Sequence, residues 1–126
     1  MSNHKGNFKE EFYARAYRYA MDIVKFVDKL PKSDNASQVI GKQLLRSGTS
    51  VVANLIEAKA ASSKRDYINF YTHSLKSANE SKLWIALLRD TKKANKEEAD
   101  KLLQETKEIA NILAASIITM KNKRKP

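Results

Sequence analysis

The chain has 126 residues, with 24 Lys plus Arg against 14 Asp plus Glu, three Gly, two Pro and no Cys. That length suits one domain with a single good core, the scarcity of Gly and Pro excludes an ordinary β-rich or loop-rich domain, and the absence of Cys excludes a disulfide framework, a thiolate metal site and a cysteine nucleophile. A net charge of +10 and a sequence pI of about 9.8 make polyanions the natural partners, because each Lys or Arg set against a phosphate releases condensed counterions. The opening MSNHKGNFKEE is polar and no apolar run approaches the ~20 residues of a membrane span, so a cytoplasmic protein with no membrane partner is expected.

Four segments carry helical periodicity, over about 8–30, 36–61, 64–93 and 96–120, with a basic tail at 121–126. The first has Phe12, Ala16, Tyr19, Ile23, Val27 and Leu30 on one stripe. Asn7 and Glu10 stand at the spacing of an N-cap and its reciprocal partner, and Pro31 ends the segment. Asn35 and Gln38 repeat that spacing before the second segment, whose apolar face holds Ile40, Leu44, Leu45, Val51, Val52, Leu55 and Ile56. Ser63 with Asp66 marks the third start and Asn95 with Glu98 the fourth. The fourth stripe is Leu102, Thr106, Ile109, Leu113, Ile117 and Met120. Helices this long with connections this short must run antiparallel to their neighbours. The expected fold is therefore all-α: an antiparallel up-down four-helix bundle forming a single domain over 1–126.

One stretch, RSGTSVVANLIEA at 46–58, reads in more than one way. Gly48 could end a helix and Thr49 or Ser50 start the next, but Leu44, Val51 and Leu55 keep their phase across it, which favours one continuous helix. An interior Gly costs about 1 kcal/mol relative to Ala, and in return lets a neighbouring helix approach. Ser47 and Ser50 lack a base, since His4 and His73 are the only histidines. No strand precedes them to build a nucleophile turn, and the Gly-Lys-Ser or Gly-Lys-Thr pattern of a phosphate loop is absent. What remains is a line of mostly small polar residues, Arg46, Ser50, Asn54 and Glu57, on one flank. Arg46 and Glu57 are too far apart to pair, so each is expected to meet a partner on another helix or another subunit.

The third segment is apolar over more than half of its wheel (Tyr67, Ile68, Phe70, Tyr71, Leu75, Ala78, Trp84, Ile85, Leu88), wider than the arc a monomeric bundle needs. The excess predicts a second buried side and hence self-association. His73 falls in the remaining polar stripe with no ligand-spaced companion, so no metal site is expected. With no Gly-rich cofactor loop either, neither a cofactor nor enzymatic activity is expected.

Arg46-Ser47-Gly48-Thr49-Ser50 followed by Ala53-Asn54 and Glu57-Ala58, together with Ser63-Lys64-Arg65-Asp66-Tyr67, Ser77-Ala78-Asn79-Glu80 and Trp84, resembles the paired signature of the four-helix-bundle family of proteins encoded in intervening sequences of bacterial large-subunit ribosomal RNA genes. The layout is similar from about 10 to 120, and the specific motifs lie between 46 and 90. The resemblance implies a basic homopentameric ring without enzymatic activity. Five copies of a +10 chain would carry about +50. The same fold includes the accessory variability determinant of diversity-generating retroelements, which binds a reverse transcriptase and nucleic acid, and Ile112-Leu113-Ala114-Ala115-Ser116-Ile117 before a basic tail is similar to that branch. A reverse transcriptase is thus the alternative partner.

These readings converge on a non-catalytic oligomer that binds RNA or DNA, with RNA preferred and without base-by-base reading, since no sheet-borne aromatic platform is present. From charge and helix face, the candidate phosphate contacts are Arg15, Arg18, Lys25, Lys42, Lys64, Arg65, Lys76, Lys82, Lys121, Lys123, Arg124 and Lys125. The candidate subunit or helix interface is Arg46, Ser47, Gly48, Ser50, Asn54, Glu57, Tyr67, Tyr71, Asn79, Glu80 and Trp84.

Overall fold

The structure, a computed structural model, describes residues 4–123, with side chains from residue 7 onward. It consists of α1 (His4–Asp28), α2 (Asn35–Lys59), α3 (Lys64–Asp90) and α4 (Lys96–Asn122).

The ends show which side chains win the terminal backbone groups. Ser63 accepts from the Asp66 N–H at 3.1 Å, and Asn95 accepts from the Glu98 N–H at 2.9 Å, as their spacing predicts. Two expected caps differ. The backbone is already helical from His4, so Asn7 is an interior residue of α1. At α2 the cap is Asp34 rather than Asn35. Its carboxylate takes both the Ser37 N–H at 2.9 Å and the Ser37 hydroxyl at 2.6 Å, charge-assisted bonds that a neutral amide would make less strongly. Gln38 turns away and donates to the Pro31 carbonyl at 2.9 Å.

α1 stops at Asp28, short of Leu30, through a turn in which the Leu30 N–H donates to the Val27 carbonyl at 3.1 Å. Likewise α3 ends at Asp90 rather than Lys93. There the Lys93 N–H reaches back to the Leu88 carbonyl at 2.9 Å and the Lys92 N–H to Arg89 at 3.0 Å, with Lys92 left-handed at φ 61°. This is a Schellman turn with Lys where Gly is usual. It carries Lys93 towards Asp34, which its ammonium meets at 2.8 Å.

Each helix packs on its chain neighbours and α4 closes back on α1. Among the described residues the diagonal pairs have no close backbone approach, so the molecule is an antiparallel up-down four-helix bundle. The α2/α3 and α3/α4 seams are broad, and α1/α4 is the thinnest. The core is built of fully buried Ile23, Leu44, Val51, Leu55, Ile85, Leu88, Ile109 and Leu113. Polar side chains that enter it are hydrogen-bonded. The Tyr19 and Thr106 hydroxyls lie 2.7 Å apart, those of Ser47 and Ser81 2.8 Å apart, and Ser74 donates to the Val51 carbonyl at 2.8 Å. Among the described residues no buried side-chain N or O is left without a partner, which avoids the desolvation penalty of an orphaned group.

α2 runs unbroken through Gly48. A Cβ built on Gly48 would lie 2.8 Å from two carbons of Ile23, so the missing side chain is what lets α1 and α2 meet there.

Candidate nucleic-acid interface

The small polar flank of α2 is used inside the protomer. Arg46 Nη2 donates to Glu80 Oε2 at 3.0 Å, and the same oxygen accepts the Trp84 indole N–H at 3.0 Å, which fastens α2 to α3. Ser47 is buried against Ser81 and Gly48 against Ile23, while Asn54 donates to the Ser50 carbonyl at 2.8 Å. Tyr67 and Tyr71 stack with centroids 4.9 Å apart. Of the residues expected at interfaces, these serve contacts between helices or within one helix. Glu57 and Asn79 remain exposed.

The cations expected to meet phosphate fall into distinct groups. Arg15 is already engaged within the bundle. Its guanidinium donates to Glu105 at 2.8 and 2.6 Å and to Glu108 at 2.8 Å, tying α1 to α4, so its fork is already occupied by carboxylates. Lys25 lines a cleft of about 610 Å³ on the α1/α4 seam beside Asp22, Glu98, Glu105 and Glu108, and Arg18 lines a smaller one beside Glu11. Lys29 in the larger cleft is paired with Glu98 at 2.7 Å. This seam is a mixed-charge surface, poorly suited to a polyanion.

The α3/α4 seam is different. Arg89 donates to Asp100 across it at 3.0 Å and thereby sets the antiparallel register. Lys82 lies two turns before Arg89 and Lys107 two turns after Asp100, so the helical repeat brings the two lysines opposite each other. Lys64 stands five turns back from Lys82 on the same face, and Lys121 about four turns on from Lys107. The result is a line of ammonium groups spanning about 27 Å at 1.5 Å per residue. Lys64, Lys107 and Lys121 are exposed, Lys82 is half-buried, and none of the four enters an ion pair with another described residue.

The two carboxylates beside Arg89 are compensated. Arg89 holds Asp90 at 2.8 Å, while Lys96 holds Asp100 at 2.7 Å with Arg89 on its other oxygen. These cations keep both carboxyls below their usual range. Lys107 is the residue that sequence reasoning missed. Its only signal is a heptad-multiple spacing to Lys121, and its partnership with Lys82 needs the interhelical register. Lys42, Arg65 and Lys76 are exposed but lie off the line, Lys123 is at the end of α4, and Arg124 and Lys125 lie outside the described residues.

Among the described residues no cluster of His, Cys, Asp and Glu could hold a metal ion, and no helix is long and apolar enough to cross a membrane. The model of the 23S rRNA-intervening sequence protein family matches residues 9–115, reaching from α1 into α4. The chain belongs to this family. Among solved structures it is similar to a protein of unknown function from the S23 ribosomal protein family of Bacteroides thetaiotaomicron VPI-5482, with TM-score 0.76 and 35% identity over 84% of this chain and 97% of that one. No curated protein matches. Membership accounts for the bundle and for the paired motifs at 46–58 and 63–84. The Arg-Ser-Gly-Thr-Ser run is where α2 docks on both of its neighbours, through Gly48 to α1 and through Arg46 and Ser47 to α3.

Proposed function

We propose that this chain is a non-catalytic, homo-oligomeric protein that binds RNA through its phosphate backbone, with the α3/α4 lysine line as the principal track. The observation that carries this reading is the run of Lys64, Lys82, Lys107 and Lys121 on a seam whose neighbouring carboxylates are already engaged by Arg89 and Lys96. Phosphates laid along it would meet ammonium groups beside carboxylates already paired with Arg89 and Lys96, and the overall charge of +10 adds a long-range field of the same sign. The family's name associates its members with 23S rRNA, and RNA is accordingly the polyanion we assign.

Self-association is supported by two unlike apolar strips on the surface. The first crosses the α1/α2 seam, with exposed Tyr17, Met21 and Val24 on one helix and Leu45 and Ile56 on the other. The second crosses the α2/α3 seam. Val39 lies two turns before Arg46 and Leu87 two turns after Glu80, so the Arg46–Glu80 register sets them opposite each other, with exposed Leu83 beside them. Exposed apolar clusters mark interaction sites, and two different ones on a single protomer are what a head-to-tail cyclic contact requires. A ring of five is the closure that the family resemblance implies.

The direct test is RNA binding across a salt series, with light scattering of the protein with and without RNA. Log affinity should fall steeply and linearly with log salt. A flat response, or no binding at low salt, contradicts the reading.

A further inference from the structure

We infer that a cleft at one end of the bundle, where α1 and α3 begin and α4 ends, accepts a single unpaired nucleobase of the bound RNA. This deepens the RNA-binding reading and rests on it. The cleft has a volume of about 660 Å³, and its lining includes Phe8, Phe12, Tyr67 and Tyr71 together with Lys9 and Lys123. That volume falls within the range of about 300–1,000 Å³ typical of sites that enclose small ligands.

The chemistry of the lining selects the occupant. Tyr67 and Tyr71 are stacked at 4.9 Å and 25°, and their hydroxyls are 3.2 Å apart. Phe8 at the rim is 58% exposed, so its ring is open to a planar guest. Half-buried Tyr67 stacks on Tyr71 by one face and offers the other once the flexible Lys9 side chain swings from it onto the guest's phosphate. Lys9 Nζ stands 5.1 Å from the Tyr67 ring centroid, which puts a cation against the aromatic wall. Among the described residues, the charged ones that line the cleft are these two lysines. The α1/α4 cleft of nearly equal size contains four carboxylates, Asp22, Glu98, Glu105 and Glu108. An aromatic slot whose described charged residues are cations fits a ligand that is both planar and anionic, which a nucleotide is. Every base offers a π-face, so stacking here is tolerant of sequence.

Position connects the slot to the phosphate track. Lys64 precedes Tyr67 and Tyr71 by about one and two turns of α3, and Lys121 follows Met120, itself a lining residue. A strand whose backbone follows the lysine line therefore arrives at the aromatic cleft. An unpaired base can turn into it while its phosphate meets Lys9. A duplex, whose bases stay stacked and paired, cannot use the slot.

The experiment measures binding of the full chain to a short labelled single-stranded RNA and to a duplex of the same sequence, by fluorescence anisotropy at a fixed salt concentration. Wild type should bind the single strand more tightly. Phe8→Ala and Tyr67→Ala should each weaken single-strand binding by about 5- to 150-fold, the range for loss of one stacking partner, and leave duplex binding unchanged. Tyr67→Phe retains the ring and should bind as wild type. Phe8 is exposed, so its truncation leaves the core intact, and a thermal melt of each variant verifies folding. If wild type binds both RNAs equally, or the alanine variants bind the single strand as wild type does, the cleft assignment falls while backbone binding stands. If wild type binds neither RNA at low salt, both readings fall together.

Discussion

Gly48 of α2 faces Ile23 of α1 so closely that an added Cβ would lie 2.8 Å from both Cγ1 and Cγ2 of the isoleucine. Ile23 is fully buried and has nowhere to retreat. Ala would gain about 1 kcal/mol of helix propensity over Gly, but overpacking a tight core costs about 1–3 kcal/mol, and here the clash is with branched carbons close to the backbone. Gly48→Ala should therefore lower stability by about 1–2 kcal/mol in urea denaturation. At Gly41 the nearest atom is the Leu30 Cδ1 methyl at 2.9 Å, the end of a side chain that can rotate, so Gly41→Ala should be closer to neutral. Equal effects of the two substitutions would contradict this account.

Lys92 holds the left-handed position that closes α3, a conformation that crowds any Cβ. Lys92→Gly should raise stability by about 0.5–1 kcal/mol, seen as a higher thermal midpoint, whereas Lys92→Ala should not.

Asp34 joins the start of α2 to the end of α3. Its hydrogen bond from Lys93, then those from Ser37, hold its carboxyl down to about 2 against an ordinary 3.8. A carboxyl depressed in the folded state contributes stability that is present above its unfolded value and lost as pH falls through the folded one. The loss should thus run from about pH 4 down to pH 2. Asp34→Asn keeps a good N-cap but cannot titrate, so its denaturation midpoint should fall less over that window than that of wild type.

If phosphates follow the α3/α4 seam, Lys82→Gln and Lys107→Gln should each reduce the slope of log affinity against log salt by about 0.7–0.9. Lys25→Gln, among the carboxylates of the α1/α4 cleft, should leave the slope unchanged. Anisotropy titrations over several salt concentrations separate the cases.

The two apolar strips make a prediction about mixing. Met21→Lys disables the α1/α2 strip and Leu83→Glu the α2/α3 strip. In a head-to-tail ring each variant alone should be monomeric by light scattering. An equimolar mixture retains one intact joint between unlike chains and should form dimers. Unchanged assembly of either variant would remove its strip from the interface.

Much of the bundle could be read directly because helical periodicity and caps are local. The constant phase of Leu44, Val51 and Leu55 carried α2 through Gly48, and Ser63 and Asn95 stand where α3 and α4 are capped. Where two good capping residues adjoin, as at Asp34 and Asn35, the choice depends on a partner as distant as Lys93, and the spacing rule misplaced it by one residue.

The sequence by itself determined four amphipathic helices, their antiparallel order and a large positive charge, since each follows from residue spacing, short connections or simple composition. Only the tertiary structure decided which charges remain free to act. It spent Arg15 on Glu105 and Glu108, brought Arg46 to Glu80, set Lys82 opposite Lys107, and gathered Phe8, Phe12, Tyr67 and Tyr71 from separate helices around one cleft. The reason is physical. Periodicity assigns a face to a side chain, but the register between helices is settled by fits such as Gly48 against Ile23, between residues far apart along the chain.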